Sequence, residues 1–353
     1  MTRRSSIAWF TAVPVGRGPS DQPRNLFRTG ESMTTTDAPK AAPPPTGKRR
    51  IGDVVFAGLA RGSGLLILMI LAGVAAFLLV QAWPSLMANT SNFLTDQSWD
   101  ANVRENPSFG VAALAFGTVM AAAIALLLAT PVAIGIALFI VYYAPRKLAT
   151  TLGYLVDLLA AIPSVVYGLW GMMVLAPELV PVYEGMTEYL GWIPLFAGPA
   201  STSARTLLTA GIVLAVMILP IITAMSRDVF HQVPQGHREA ALAMGATRWE
   251  MIRLAVLPFG KSGIVGGAML GMGRALGETM AVAMILSPSL AISFNLLQSG
   301  NQTIAAHIAL QYPEATGYGV SALIAAGLVL FAITLAVNMG ARYVVARGNK
   351  ESA

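Results

Sequence analysis

Cysteine is absent from the 353 residues, which excludes disulfides, zinc–thiolate centres and thiol nucleophiles. Charge is scarce as well. Asp, Glu, Lys and Arg make up 11% of the chain, against about 25% in a soluble globular protein. The three histidines, His231, His237 and His307, read as lying in or beside loops without ligand spacing, so no metal site is expected. No HExxH or GxSxG segment occurs, and nothing supports an intramembrane enzyme. Gly260-Lys261-Ser262 imitates the end of a phosphate-binding loop. The glycine required five residues earlier is Ala255, and no strand precedes it, so this chain is not expected to hydrolyse ATP.

What is abundant is hydrocarbon: 55% of residues are hydrophobic. The net charge of +6 forms no basic patch interleaved with aromatics on a soluble segment, so nucleic-acid binding is not supported. A spanning helix needs about 20 mostly apolar residues. Six such runs are read, over Gly58–Trp83, Phe109–Tyr143, Leu152–Leu175, Leu207–Met225, Ser262–Leu286 and Val320–Val344. The fold class is therefore an all-α integral membrane protein of six transmembrane helices. The second run is long for one straight span, and Pro131 in its middle lacks an N–H, so a kink or break is expected near Thr130.

Basic residues set the expected orientation. Fourteen Lys and Arg flank one side, namely Lys48, Arg49, Arg50, Arg61, Arg146, Lys147, Arg227, Arg238, Arg248, Arg253, Lys261, Arg342, Arg347 and Lys350. The opposite loops hold two, Arg104 and Arg205. Both termini are thus expected in the cytoplasm. Residues 1–50, rich in Pro, Ser, Thr and Arg, lack the apolar content for a core and read as a disordered tail. Residues 51–353 read as the membrane domain. Met33 opens a short polar lead-in, MTTTDAPK, so residues 1–32 are treated as a candidate start-site artefact.

The loop over residues 227–261, RDVFHQVPQGHREAALAMGATRWEMIRLAVLPFGK, carries a helix expected over His237–Leu254, with Gly245 as its hinge or terminator. In it Glu239, Ala240, Ala241, Gly245, Leu257 and Pro258 stand at the spacing Glu-Ala-Ala, three residues, Gly, eleven residues, Leu-Pro. This resembles the EAA loop of ABC importer permeases. Ala255 departs from that pattern, which has Ile at this position. The resemblance implies that the short helix docks on a cytoplasmic ATPase subunit and carries its motion into the bundle.

Inside the fifth run lies GRALGETM, Gly273 to Met280. Burying an arginine at the bilayer centre costs about 2.5–3.5 kcal/mol on insertion scales. Arg274 and Glu278 at i, i+4 can share a helix face and pair. The reading is open between a neutralised structural pair and an anion site on a transport path, since a guanidinium fork suits a tetrahedral oxyanion. Gly263, Gly267 and Gly271, and likewise Gly273 and Gly277, recur four apart, which lets helix backbones approach. Pro163 interrupts the third run, so Ser164 and freed backbone groups become candidates to line a cavity. Ser164 and Tyr167 are weighed as packing or capping groups as well, and Asp157 as a structural ion pair ahead of a gate.

AAIPSVVYGLWGMMVL at Ala160 to Leu175, GRALGETMAV in the fifth run and the EAA loop together resemble the PstC-type permease subunits of phosphate-specific ABC importers, from about residue 50 to the C-terminus. The resemblance implies the type I ABC importer permease bundle. It maps Arg274 and Glu278 onto the family's intramembrane pair, and Asp157 onto a glutamate of the family. It also implies inorganic phosphate as substrate and a PstA-type permease as heterodimer partner. Two ATP-binding subunits, which would use ATP and Mg, and an extracytoplasmic phosphate-binding protein complete the implied assembly. No cofactor is expected on this chain. The competing readings are a permease for another oxyanion, sulfate or molybdate, and a proton-coupled secondary transporter.

Overall fold

The computed structural model describes residues 51–103 and 105–350, with the side chains of 344–346 and 348–350 outside the description. The expected tail over residues 1–50, the alternative start at Met33, and Arg104 therefore lie outside the described residues. The chain divides after Ala60. Of the first unit only Ile51–Ala60, the opening turns of helix α1 (Ile51–Ala88), is described; every relationship below lies within the second unit.

Among the described residues, six helices are long and apolar enough to cross a membrane. From Arg61 onward, α1 buries only Ala82 and Ser85. A two-stranded antiparallel ribbon follows, β1 (Trp99–Asp100) and β2 (Ser108–Phe109), with Trp99 opposite Phe109. Helix α2 (Ala112–Leu138) then packs along α6 (Leu207–His231). Ala121, Ala125, Ala129, Ala133 and Ala137 are all buried, one per turn. A methyl-only ridge brings the backbones close, which is where dispersion has to hold helices together once lipid has removed the hydrophobic drive. Gly211 shows how close: a Cβ there would lie 2.4 Å from Cγ2 of Ile124.

Of the kink or break expected near Thr130, the break does not occur: helix α2 runs through Pro131 without interruption, because one missing N–H is a local loss in a helix clamped along its length by α6. Prolines act elsewhere, at three π-turns. Phe139–Tyr143, Gly171–Leu175 and Ile252–Val256 each end two residues before a proline, Pro145, Pro177 and Pro258. At Pro177 and Pro258, inside the continuing helices, the ring would clash with the carbonyl four residues back, and the widened turn moves that carbonyl aside; Pro145 follows Ala144, whose extended backbone has already ended the helix.

The third span is corrected. Helix α3 (Arg146–Ala160) stops before Pro163, and the spanning helix is α4 (Ser164–Trp170) continued through the π-turn into α5 (Ala176–Leu190). Glu178, Glu184 and Glu188 belong to α5. The hydropathy of Leu152–Leu175 had averaged across a proline break.

The loop helix is split into α7 (Gln235–Ala243) and α8 (Arg248–Met251). Through a π-turn α8 enters α9 (Leu257–Leu276), making one helix over Arg248–Leu276. The fifth span then breaks, and α10 (Met280–Ile285) resumes after three residues. Helix α11 (Ile304–Gln311) precedes the last span, α12 (Gly319–Lys350). Helix α9 crosses α6 on glycines: a Cβ at Gly263, Gly267 or Gly271 would meet Val229, Met225 or Ile222 at 2.1–3.0 Å. Gly273 and Gly277 do not serve this crossing. Gly273 has nothing within 4 Å of the Cβ position, and Gly277 caps α9.

Candidate functional site

Two helix breaks meet at the centre of the chain's chemistry. The first interruption lies between α3 and α4. Ala161 and Ile162 donate their N–H groups to Leu158 O and Leu159 O at 3.1 and 3.3 Å. Pro163 then turns the chain with extended backbone, and α4 starts at Ser164, which is half-buried. Tyr167, one turn into α4, reaches back and donates its hydroxyl proton to Leu159 O at 2.9 Å. A helix end leaves carbonyls short of helical donors. The phenol adds a second donor to Leu159 O beside the Ile162 N–H, which is a capping contact.

The second interruption lies between α9 and α10. Gly277 N–H donates to Gly273 O at 3.3 Å, and Glu278 N–H to Ala275 O at 3.4 Å, closing α9. The Glu278 carboxylate turns forward instead: Oε1 accepts the Ala281 N–H of α10 at 3.1 Å. Thr279 Oγ1 donates to Gly277 O at 3.2 Å. Glu278 is buried, at 8% exposure. Helix α10 packs against α4 so tightly that a Cβ at Gly168 would sit 2.7 Å from Cα of Ala281.

Arg274 stands in the last turn of α9. Its Nε is buried and has no hydrogen-bond partner, and its charge acts on Tyr167 across the gap. The expected Arg274–Glu278 pair is not formed. The i, i+4 geometry needs a continuous helix, and α9 ends at Leu276 before Glu278 is reached. Among the described residues the salt bridges belong to Arg227, with Asp157 at 3.3 Å and Asp228 at 3.5 Å. Arg274 is half-buried and, among the described residues, makes no contact with a carboxylate. Its planar fork suits two oxygens of a tetrahedral oxyanion.

Asp157 is elsewhere. It is held by Arg227 of α6, for whose guanidinium Gly153 leaves room: a Cβ there would lie 2.8 Å from Nη1. Asp157 and Arg227 line a cavity of about 550 Å³ together with Arg146, Thr150, Tyr154 and His231. The ion-pair reading of Asp157 therefore describes its contact. Arg205 was assigned only to a loop, and its role was missed. It donates to the carbonyls of Met284, Ile285 and Leu286 at 3.3, 3.3 and 3.0 Å, capping α10 at the end opposite Glu278. No local sequence signal announces a contact across about eighty residues.

The loop motif also resolves into faces. Glu239 and Ala240 are exposed, whereas Ala241 is buried among Leu138, Phe230, Ile252 and Val256. The second alanine thus seats α7 on its own bundle, and the first faces outward. Gly245 has φ +86°, the left-handed conformation that ends α7. Thr247 and Glu250 form a reciprocal capping box that starts α8. Leu257 is half-buried against the same cluster, and Pro258 is exposed after its π-turn. Leu242, Met244, Trp249 and Leu254 remain 45–81% exposed around the motif. His231 ends α6, His237 lies in the first turn of α7 and His307 in α11.

The sequence pattern of the family described as "binding-protein-dependent transport system inner membrane component" matches residues 129–349. The phosphate transport system permease protein PstC 2 of Mycobacterium tuberculosis is 46% identical over 296 residues, covering 83% of this chain and 91% of the relative. PstC of Mesorhizobium japonicum is 41% identical over 304 residues, with 84% and 90% covered. PstC of Xylella fastidiosa (strain Temecula1) is 40% identical over 323 residues, with 89% and 98% covered. Among solved structures, a bacterial ABC transporter involved in the import of the acidic polysaccharide alginate aligns over 83% of this chain and 98% of its own. Its TM-score is 0.51 and its identity 16%, so that likeness speaks for the fold.

Proposed function

This chain belongs to the binding-protein-dependent transport system inner membrane components and, within them, to the PstC permeases of phosphate transport systems; from that membership we propose that it carries inorganic phosphate across the membrane as one half of an ATP-driven importer. Its pathway runs past Arg274. The observation that carries this assignment of the site is the buried Nε of Arg274, left without a partner in the last turn of α9, just before the break after which α10 packs on α4. In hydrocarbon such a cation calls for an anion, and phosphate brings oxygens in the geometry the fork accepts. Glu278 accepts hydrogen bonds and donates none when ionised. One of its oxygens is engaged by Ala281, and the other is suited to a phosphate hydroxyl. Tyr167, Ser164 and the turn at Pro163 form the facing wall.

Both termini lie in the cytoplasm, a reading supported by the fourteen-to-two asymmetry of Lys and Arg. Glu239, Ala240 and the apolar side chains around them meet an ATP-binding subunit there. Two such subunits, using ATP and Mg, supply the hydrolysis. A PstA-type permease completes the pathway and an extracytoplasmic phosphate-binding protein delivers substrate. ATP-driven closure pushes on α7, and the bundle turns the Arg274 cavity from one side of the membrane to the other. Most selectivity resides in the delivery protein, since a tight intramembrane site would slow release.

The test is the energy source in proteoliposomes. Phosphate uptake should require the two ATP-binding subunits and ATP. Uptake by the permease pair alone, driven by a proton gradient, would overturn the reading in favour of a secondary transporter. Uptake of sulfate in preference to phosphate by the full assembly would overturn the choice of substrate.

A further inference from the structure

Tyr142 joins three elements that otherwise meet only through apolar contacts. It sits in the π-turn Phe139–Tyr143 at the end of α2, three residues before Pro145. Its hydroxyl donates to Phe230 O at 3.0 Å. That carbonyl belongs to the last turn of α6, where main-chain acceptors lose their helical donors. On the other side, the guanidinium carbon of Arg238 lies 5.8 Å from the centre of the Tyr142 ring, within the range of a cation–π contact. Arg238 is the residue of α7 immediately before Glu239. One aromatic side chain therefore ties the start of the motif helix to the ends of both α2 and α6.

The surroundings make this joint stiff. Phe230 is fully buried, and a Cβ at Gly260 would approach its ring to 2.8 Å, so α9 presses on the same residue. Ala241 seats the next turn of α7 on Phe230, Leu138, Ile252 and Val256. The opposite side of α7, with Glu239 and Ala240, is bare. A push on that bare side reaches α2 and α6 through Tyr142 and this apolar seat. Only Tyr142 adds directional contacts, and those resist sliding where apolar packing permits it.

We propose that Tyr142 is a positioning residue for energy coupling, holding Arg238 and the α6 terminus so that motion imposed on the helix over Gln235–Ala243 moves α2 and α6 as one body. The inference rests on the reading that Glu239 and Ala240 face an ATP-binding subunit. A residue that matters only for folding would lower uptake and ATP hydrolysis together. A coupling residue separates them.

The experiment uses the complete importer, with its partner permease, two ATP-binding subunits and phosphate-binding protein, in proteoliposomes. ATP hydrolysed per phosphate imported is measured for the wild type, Tyr142→Leu, Tyr142→Phe and Ala240→Trp. Tyr142→Leu should raise the ratio by about threefold or more with ATPase activity nearly retained, as the hydrogen bond and the cation–π contact are both lost. Tyr142→Phe, which keeps the ring, should give a smaller rise, and it decides the matter if the leucine variant does not assemble. A ratio equal to the wild type in the assembled variants, or uptake and hydrolysis falling by the same factor, would overturn the proposal. Ala240→Trp separates the two layers. If it disturbs ATPase association while Tyr142 variants keep the normal ratio, this proposal fails alone. If Ala240→Trp associates and transports normally, the docking reading fails and takes the proposal with it.

Discussion

The hydroxyl of Tyr167 donates to the carbonyl of Leu159 at 2.9 Å, bridging a helix break from one side to the other. Removing it with Tyr167→Phe leaves Leu159 O with the long Ile162 N–H contact alone, at 3.3 Å. The expected loss is that of one hydrogen bond, about 0.5–1.5 kcal/mol of stability, read as a lower melting temperature of the detergent-purified complex. An unchanged melting temperature would mean that the phenol does not hold this turn.

Two glycines make a matched comparison. At Gly168 a Cβ would meet the backbone Cα of Ala281 at 2.7 Å, whereas at Gly266 it would meet nothing within 4 Å. A side chain can rotate away, but a backbone atom cannot, so Gly168→Ala should force α4 from α10. The overpacking costs about 1–3 kcal/mol and should impair uptake. Gly266→Ala should be neutral or stabilising by up to about 1 kcal/mol, as alanine is the better helix former. Melting curves and uptake of both variants check the pair.

His307 predicts a pH dependence. It lies in α11, outside the six spans, buried at 5% exposure with its ring edge-on to Trp99 at 4.5 Å. Desolvation lowers its pKa from 6.5 to about 4. The unfolded chain therefore takes up the proton first as pH falls. The contribution of His307 is complete above about pH 6.5 and is lost progressively down to about pH 4, on the order of 3 kcal/mol at most. The melting temperature of wild type should fall more steeply than that of His307→Gln over this window. Parallel curves would contradict the assignment.

Much of this molecule is legible in the order of its residues. Hydropathy places six spans because only helices satisfy a backbone in hydrocarbon, and Pro163 marks the first break. The motif glycine, Gly245, marks the end of α7, and Thr247 with Glu250 spells the cap that starts α8, a signal that was available and went unused. The break after Leu276 was hidden because Arg274 and Glu278 fit a helix pattern well. Only the choice of Glu278 to cap α10 parts them. The clamp of Arg205 on α10 and the joint at Tyr142 depend on residues about eighty to ninety positions apart, which no local pattern contains. Pro131 does not end α2, since close packing on α6 carries the helix past a missing hydrogen bond.

Glu278 bears on selectivity. Phosphate near neutral pH retains one or two protons and sulfate retains none, so an ionised acceptor favours the former. Glu278→Gln should blunt discrimination by the assembled importer, measured as stronger inhibition of phosphate uptake by sulfate. Competition by sulfate at the wild-type level would remove Glu278 from the substrate's surroundings.

The most direct measurement concerns Arg274. Phosphate-stimulated ATPase activity and uptake are compared in the complete assembly with Arg274 intact and with Arg274→Ala. A charge-assisted contact to the anion is worth about 1.5–3 kcal/mol, so uptake should drop at least about tenfold while the complex still assembles. Uptake at the wild-type rate in Arg274→Ala would contradict the account, because the phosphate would then cross without the cation assigned to meet it.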